Sequence, residues 1–103
     1  MNKYLELIEK IHASPFRLTF VSSGGGTNAI SELLKVPGAS NTVLESYIPY
    51  SKESMDTFLN KTPDHYCSLE TCLSMAANAF KKSKEIDQRT KTRYLLGLSL
   101  IHI

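Results

Sequence analysis

Residues 16–35 read FRLTFVSSGGGTNAISELLK, and their order decides the class of fold. Phe16, Leu18 and Phe20 alternate with Arg17 and Thr19, the period-two pattern of a β-strand. Ser22-Ser23-Gly24-Gly25-Gly26 breaks that pattern, and Ala29, Ile30, Leu33 and Leu34 then recur at the spacing of one helix face. A strand that turns through glycines into a helix is the first half of a β–α–β unit. Working outward, residues 2–12 read as a helix with Tyr4, Leu5, Leu7, Ile8 and His12 on its stripe, stopped by Ser14-Pro15. His12 is expected to cap the C-terminus of that helix. VPGAS (36–40) punctuates the chain, and Leu44 to Tyr50 is β-prone, with Pro49 confining it to a sheet edge or a strand end. Ser51 opens a short helix to Leu59, NKTPDHY (60–66) is a loop, and Ser68 caps a long helix. The expected core stripe of that helix is Leu69, Cys72, Leu73, Ala76 and Phe80. YLLGLSL (94–100) reads as a last, central strand. The expected fold is α/β: three layers, helix/sheet/helix, around a small, mostly parallel and incomplete sheet.

A chain of 103 residues holds one small domain and can bury about two-thirds of its unfolded surface. Hydrophobic residues at 42% and charged residues at 21% belong to an ordinary globular protein, and a net charge of +2 argues for neither nucleic acid nor an anionic membrane. The basic cluster Lys81, Lys82, Lys84, Arg89, Lys91 and Arg93 reads as a solvated face. Cys67 and Cys72 fit no common zinc spacing and are expected as reduced thiols; no metal or cofactor is implied. The N-terminal MNKYLELIEKIH carries acids where a signal peptide is apolar, and no run reaches membrane-spanning length, so a cytoplasmic location is expected. The closing LSLIHI (98–103) matches a translation of CTG TCT CTT ATA CAC ATC, which resembles a transposon end used in sequencing libraries. Native sequence is therefore expected to stop near Gly97, with residues 1–97 a truncated domain and 98–103 an adapter artefact.

The loop SSGGGT can aim backbone N–H groups and a helix N-terminus at an anion, and glycines let a ligand approach the backbone closely. It is neither GxxxxGK[ST] nor GxGxxG, because Ala29 stands where the last glycine belongs. A nucleophilic serine here needs a base. His65 sits in a polar loop, and Lys52, beside Tyr50 and Ser51, is the alternative.

Three segments carry a family resemblance: SSGGGTNAISELLKVPGAS (22–40), SYIPYSKESM (46–55) and YCSLETCLSMAANAF (66–80). Together they resemble the CinA C-terminal domain family, best known for nicotinamide-nucleotide amidase activity. That family shows E-S-C-T-G-G, D-V-P-G-A-S, V-x-Y-S-N-E-A-K and G-A-V-S-E-E-V-A-x-x-M-A. The resemblance spans roughly residues 16–80 and implies Ser23 as nucleophile, Gly26 as the family's first loop glycine and Tyr50 as the active-site tyrosine; Ser68, Glu70, Met75 and Ala76 also fall in register. It further implies a small-molecule nucleotide held by Ser22, Gly24, Gly25, Gly26 and Thr27. Two features depart from the pattern. The family lysine falls on Met55, leaving Lys52 as substitute base, and ESCTGG has become SSGGGT. The family's later TGIAGP loop should follow Tyr94–Gly97. Triple-glycine variants resemble a divergent branch, some of whose members are joined to a nucleotidyltransferase-like domain, so a fused transferase or a homo-oligomer is the implied partner. Two readings stay open: an amidase, or a non-catalytic nucleotide-binding or regulatory module.

Overall fold

The computed structural model describes residues 3–87 and 94–101, which leaves Arg89, Lys91 and Arg93 outside the described residues. Helix α1 spans Lys3–Ala13, strand β1 Phe16–Ser23, α2 Thr27–Lys35, a 3-10 turn Ala39–Asn41, β2 Val43–Tyr47, α3 Lys52–Leu59, α4 Leu69–Ile86 and β3 Tyr94–Ile101. The two serine caps lie where the sequence put them. Ser51 accepts a hydrogen bond from the Ser54 N–H at 3.1 Å, and Ser68 accepts one from the Thr71 N–H at 3.2 Å. The second strand is shorter than expected, ending at Tyr47, because Pro49 has no N–H to give a ladder.

The sheet order is β2-β1-β3 and every pair is parallel. Among the described residues β1 is the middle strand, and β3, expected to be central, lies at the side. Its register with β1 is unbroken from Phe16↔Tyr94 to Ser23↔Ile101, whereas β1–β2 slips between Leu18 and Thr19. Helices cover both faces of β1, so its buried run from Arg17 to Ser22 does not show the half-exposed alternation of a one-sided strand. On one face Leu18 and Phe20 pack with Ile30 of α2; on the other Val21 packs with Met55 and Leu59 of α3 and Met75 and Ala79 of α4. Phe20, Val21, Met75 and Ala79 are fully buried, and each of the larger three contributes about 1.5–3 kcal/mol.

Three sequence expectations are corrected. The face of α4 that meets the sheet is Thr71, Met75, Ala79 and Ser83, while Leu69, Leu73 and Phe80 are exposed and Cys72 and Ala76 only half-buried. Both polar members of that face are satisfied: the Thr71 hydroxyl donates to the His65 carbonyl at 2.5 Å, and the Ser83 hydroxyl lies 2.8 Å from both Thr19 Oγ1 and the Leu96 carbonyl. His12 does not cap α1. It is buried, with Nε2 2.9 Å from the Leu33 carbonyl and Nδ1 2.8 Å from Thr42 Oγ1, and so ties α1 to α2 and to the start of β2. Finally, Ile8 and His12 are the buried residues of α1 and Ile30 that of α2; Tyr4, Leu5, Leu7, Ala29 and Leu34 face outward.

Glycine is required at Gly97. A Cβ there would lie 2.9 Å from Phe80 Cα and closer still to the Ala76 carbonyl oxygen and Phe80 nitrogen. Helix α4 thus rests backbone-on-backbone across β3. No described helix is long and apolar enough to cross a membrane.

Candidate functional site

The geometry at the end of β1 follows from its two serines pointing to opposite sides of the sheet. Ser22 is buried and its hydroxyl donates to the Gly25 carbonyl, which holds the glycine turn closed. Ser23 is half-buried on the other side. Left-handed backbone falls at Gly24 (φ 79°) and Gly26 (φ 80°), the two positions where a side chain would be strained; Gly25 lies outside that region. Gly26 is also the N-cap of α2 and offers no side-chain acceptor, so no side chain caps that helix start.

Ser23 and Gly24 line a cavity of ≈ 660 Å³, completed by Tyr50, Ser51, Lys52, Met55, Tyr66, Cys67 and Ile101. That volume is within the range of about 300–1,000 Å³ usual for small-molecule sites. The cavity sits at the C-terminal ends of β1 and β3. The chain leaves β1 toward β2 on one side and reaches β3 on the other, so these adjacent strands form the switch point where open α/β sheets accept ligands.

The three side chains expected to be catalytic, Ser23, Tyr50 and Lys52, therefore share one cavity with Gly24. Ser22, Gly25, Gly26 and Thr27 are not on its lining; they shape the turn behind it. Tyr50 is 76% exposed at the mouth. Lys52 is the first residue of α3, with Nζ 5.9 Å from the centre of the Tyr66 ring. Tyr66 donates its hydroxyl proton to Asp56 at 2.7 Å, and that bond, with burial and the charges of Asp56 and Glu53, raises its pKa. Met55 forms the floor and belongs equally to the core, at 2% exposure.

Sequence reasoning missed Tyr66, Cys67 and Ile101 as lining residues. A signal existed for the first two. They precede the cap of α4, and a helix that returns antiparallel to the strands must begin at the same end of the sheet as Ser23.

No histidine, aspartate or glutamate lines the cavity among the described residues. His12 is occupied in the interior by Leu33 and Thr42. His65 borders a smaller hollow with Lys61, Asp64 and Glu70. Among the described residues no hydrogen bond joins Ser23 to Tyr50 or Lys52, and no group of three His, Cys, Asp or Glu side chains gathers as a metal site. Both cysteines are free thiols, Cys67 exposed and Cys72 with Sγ 3.1 Å from Ser99 Oγ. A second hollow of ≈ 640 Å³ is lined by Tyr47, Glu53, Phe58 and Lys82 among others, and carries neither serine nor glycine of the β1 loop. There the pKa of Tyr47 is pushed up to about 12 by burial, then by its 2.6 Å hydrogen bond to Glu45, then by the charges of Glu45 and Glu85.

Comparison with protein-family models, with curated proteins and with solved structures finds no match to this chain.

Proposed function

We propose that this chain is a non-catalytic nucleotide-binding module of the CinA-like type, holding a nicotinamide nucleotide in the Ser23–Tyr50–Lys52 cavity without turning it over. The observation that carries this reading is the cavity's composition: hydroxyls, two tyrosine rings and one ammonium, with no proton acceptor bonded to Ser23. Tyr50 and Tyr66 offer aromatic faces for a flat heterocycle. Lys52 supplies a cation for a phosphate, and Gly24 allows close backbone approach.

A second reading is supported by the presence of Lys52 in the same cavity. In an amidase, Ser23 Oγ would attack the carboxamide carbon as Lys52 took the hydroxyl proton. Ammonia would leave with that proton, and water would cleave the resulting ester to release the acid and restore Ser23. Lysine serves as a base when its ammonium is desolvated, and Lys52 is exposed, which weighs against this route.

Calorimetric titration with nicotinamide mononucleotide, run alongside an ammonia-release assay, separates the two. Binding without ammonia, unchanged in affinity by Ser23→Ala and weakened at least tenfold by Gly24→Val, supports the module; the valine cannot adopt the left-handed backbone at that position. Ammonia release that Ser23→Ala abolishes would establish the amidase instead.

A further inference from the structure

Tyr66 lines the Ser23 cavity, and behind it stands Asp56, which does not. The Tyr66 hydroxyl donates to Asp56 Oδ1 at 2.7 Å, and the Thr62 hydroxyl donates to Oδ2 at 3.2 Å. The main chain of Asp56 is held as well: its carbonyl accepts from the Lys61 N–H at 3.2 Å and from the Asn60 N–H. Asn60 turns the chain back with φ 58°, so α3 and the loop 60–66 close on one carboxylate. Every residue of this arrangement lies between 52 and 66, and none belongs to the closing LSLIHI.

A phenol bonded to a carboxylate attracts cations more strongly than a free one. The ionised oxygen polarises the O–H bond and pushes electron density into a ring whose face is already the negative part of its quadrupole. The hydrogen bond to Asp56 is also the chief cause that raises the Tyr66 pKa, so the proton stays on the phenol and the negative charge on Asp56. Glu53 adds a second negative charge from the same helix. Lys52 reports the effect. Among the described residues it forms no ion pair, and its Nζ stands over the Tyr66 ring, 5.9 Å from the centre. The ring face is therefore a place where a cation settles.

A bound nucleotide changes which cation that is. Its phosphate draws the exposed Lys52 ammonium away, and the face that Lys52 leaves favours a ring with a positive charge of its own. Charge then balances across the cavity, ammonium with phosphate and cationic ring with the Tyr66–Asp56 pair. The lining itself carries one charged side chain, Lys52, so without Asp56 behind the wall a cationic ring would meet net repulsion.

We propose that the Tyr66–Asp56 pair sets the ligand class of this cavity, selecting a positively charged aromatic ring, a pyridinium, over a neutral heterocycle of the same outline. Tyr66 makes the contact, and Asp56 is a positioning residue that acts through it. The proposal deepens the nucleotide reading of the cavity and rests on it.

Calorimetric titration with two ligands tests this: nicotinamide mononucleotide, and its dihydropyridine form, which keeps the sugar, phosphate and carboxamide but has no charge on the ring. The wild-type chain should bind the pyridinium about fivefold more tightly. Asp56→Asn keeps an oxygen that can accept from Tyr66 and removes the charge. It should cut the preference to about twofold or less, through weaker pyridinium binding with the dihydropyridine affinity unchanged. A merely structural role for Asp56 would weaken both ligands alike. Tyr66→Leu, which keeps an apolar side chain but no ring, should abolish the preference. Equal affinity for the two ligands, a preference that survives either substitution, or an Asp56→Asn chain that loses both ligands equally would overturn the inference and leave the nucleotide site standing. Binding of neither ligand by the wild-type chain would instead overturn the nucleotide reading, and this inference with it.

Discussion

Replacing Gly97 by alanine adds one methyl group at the place where α4 rests on β3. That methyl would stand 2.9 Å from Phe80 Cα and nearer still to the Ala76 carbonyl oxygen and Phe80 nitrogen, where ordinary contact begins at 3.4 Å. These are backbone atoms in the middle of an 18-residue helix, so no side chain can swing aside. Helix α4 must lift from the sheet by roughly 1 Å, and a gap of that size forfeits about half of each dispersion contact. The contacts concerned include those of Met75 and Ala79, both fully buried against Val21. Overpacking of this kind costs about 1–3 kcal/mol, and the rigidity of the neighbours places Gly97→Ala near 3 kcal/mol. For a chain of this length that lowers the melting temperature by roughly 12–24 °C. Far-UV circular dichroism melts of the variant and of Ser99→Ala give the comparison. The second change removes the hydrogen bond from Ser99 Oγ to the Cys72 carbonyl at 2.7 Å and the weaker contact of that hydroxyl with Cys72 Sγ at 3.1 Å, and should cost about 1 kcal/mol. A Gly97→Ala protein that melts no lower than Ser99→Ala would refute the close approach of α4 to β3.

Other consequences can be measured on the same samples. Asp87→Ala removes the carboxylate that Arg17 holds at 2.6 Å and leaves a buried cation; guanidinium unfolding should show a loss of about 3–5 kcal/mol, and a loss below about 1 kcal/mol would contradict the buried pair. Met55→Lys, which puts a lysine where the resembled family carries one, places an ammonium at a position 2% exposed among Val21, Leu59 and Met75; it should destabilise the fold by roughly 3 kcal/mol or more and yield no ammonia release. Tyr47 should appear in a phenolate absorbance titration as a tyrosine ionising near 12. Its folded pKa is raised above 10.0, so the stability linked to its neutral form is complete below pH 10.0 and is lost as the pH rises through about 12; a Tyr47→Phe variant whose alkaline unfolding matches wild type would contradict this.

The strand–glycine–helix order at 16–35 and the serine caps at Ser51 and Ser68 were legible because they depend on neighbours in sequence. The facing of α4 was not. Its sheet face is built from Thr71, Met75, Ala79 and Ser83, and buried hydroxyls such as Ser83 become acceptable only through partners 64 residues away, here Thr19. Hydrophobicity pointed instead to Leu69, Leu73 and Phe80, which are exposed. His12 misled for the same reason: its ring is held by Leu33 and Thr42, whose proximity only the fold creates. At the site, the glycine turn announced Ser23 and Gly24, and spacing within the resemblance supplied Tyr50. That Lys52 and Met55 share their cavity, one at the rim and the other in the core, depends on how α3 is rolled against β1.

An NMR titration of isotope-labelled protein with nicotinamide mononucleotide tests nucleotide binding in the Ser23 cavity without a coupled assay. Amide shifts should concentrate at Ser23, Gly24, Tyr50, Lys52 and Tyr66, with the ligand recovered intact after prolonged incubation. Shifts centred on Tyr47, Phe58 and Lys82, no shifts at all, or conversion of the ligand to its acid would contradict it.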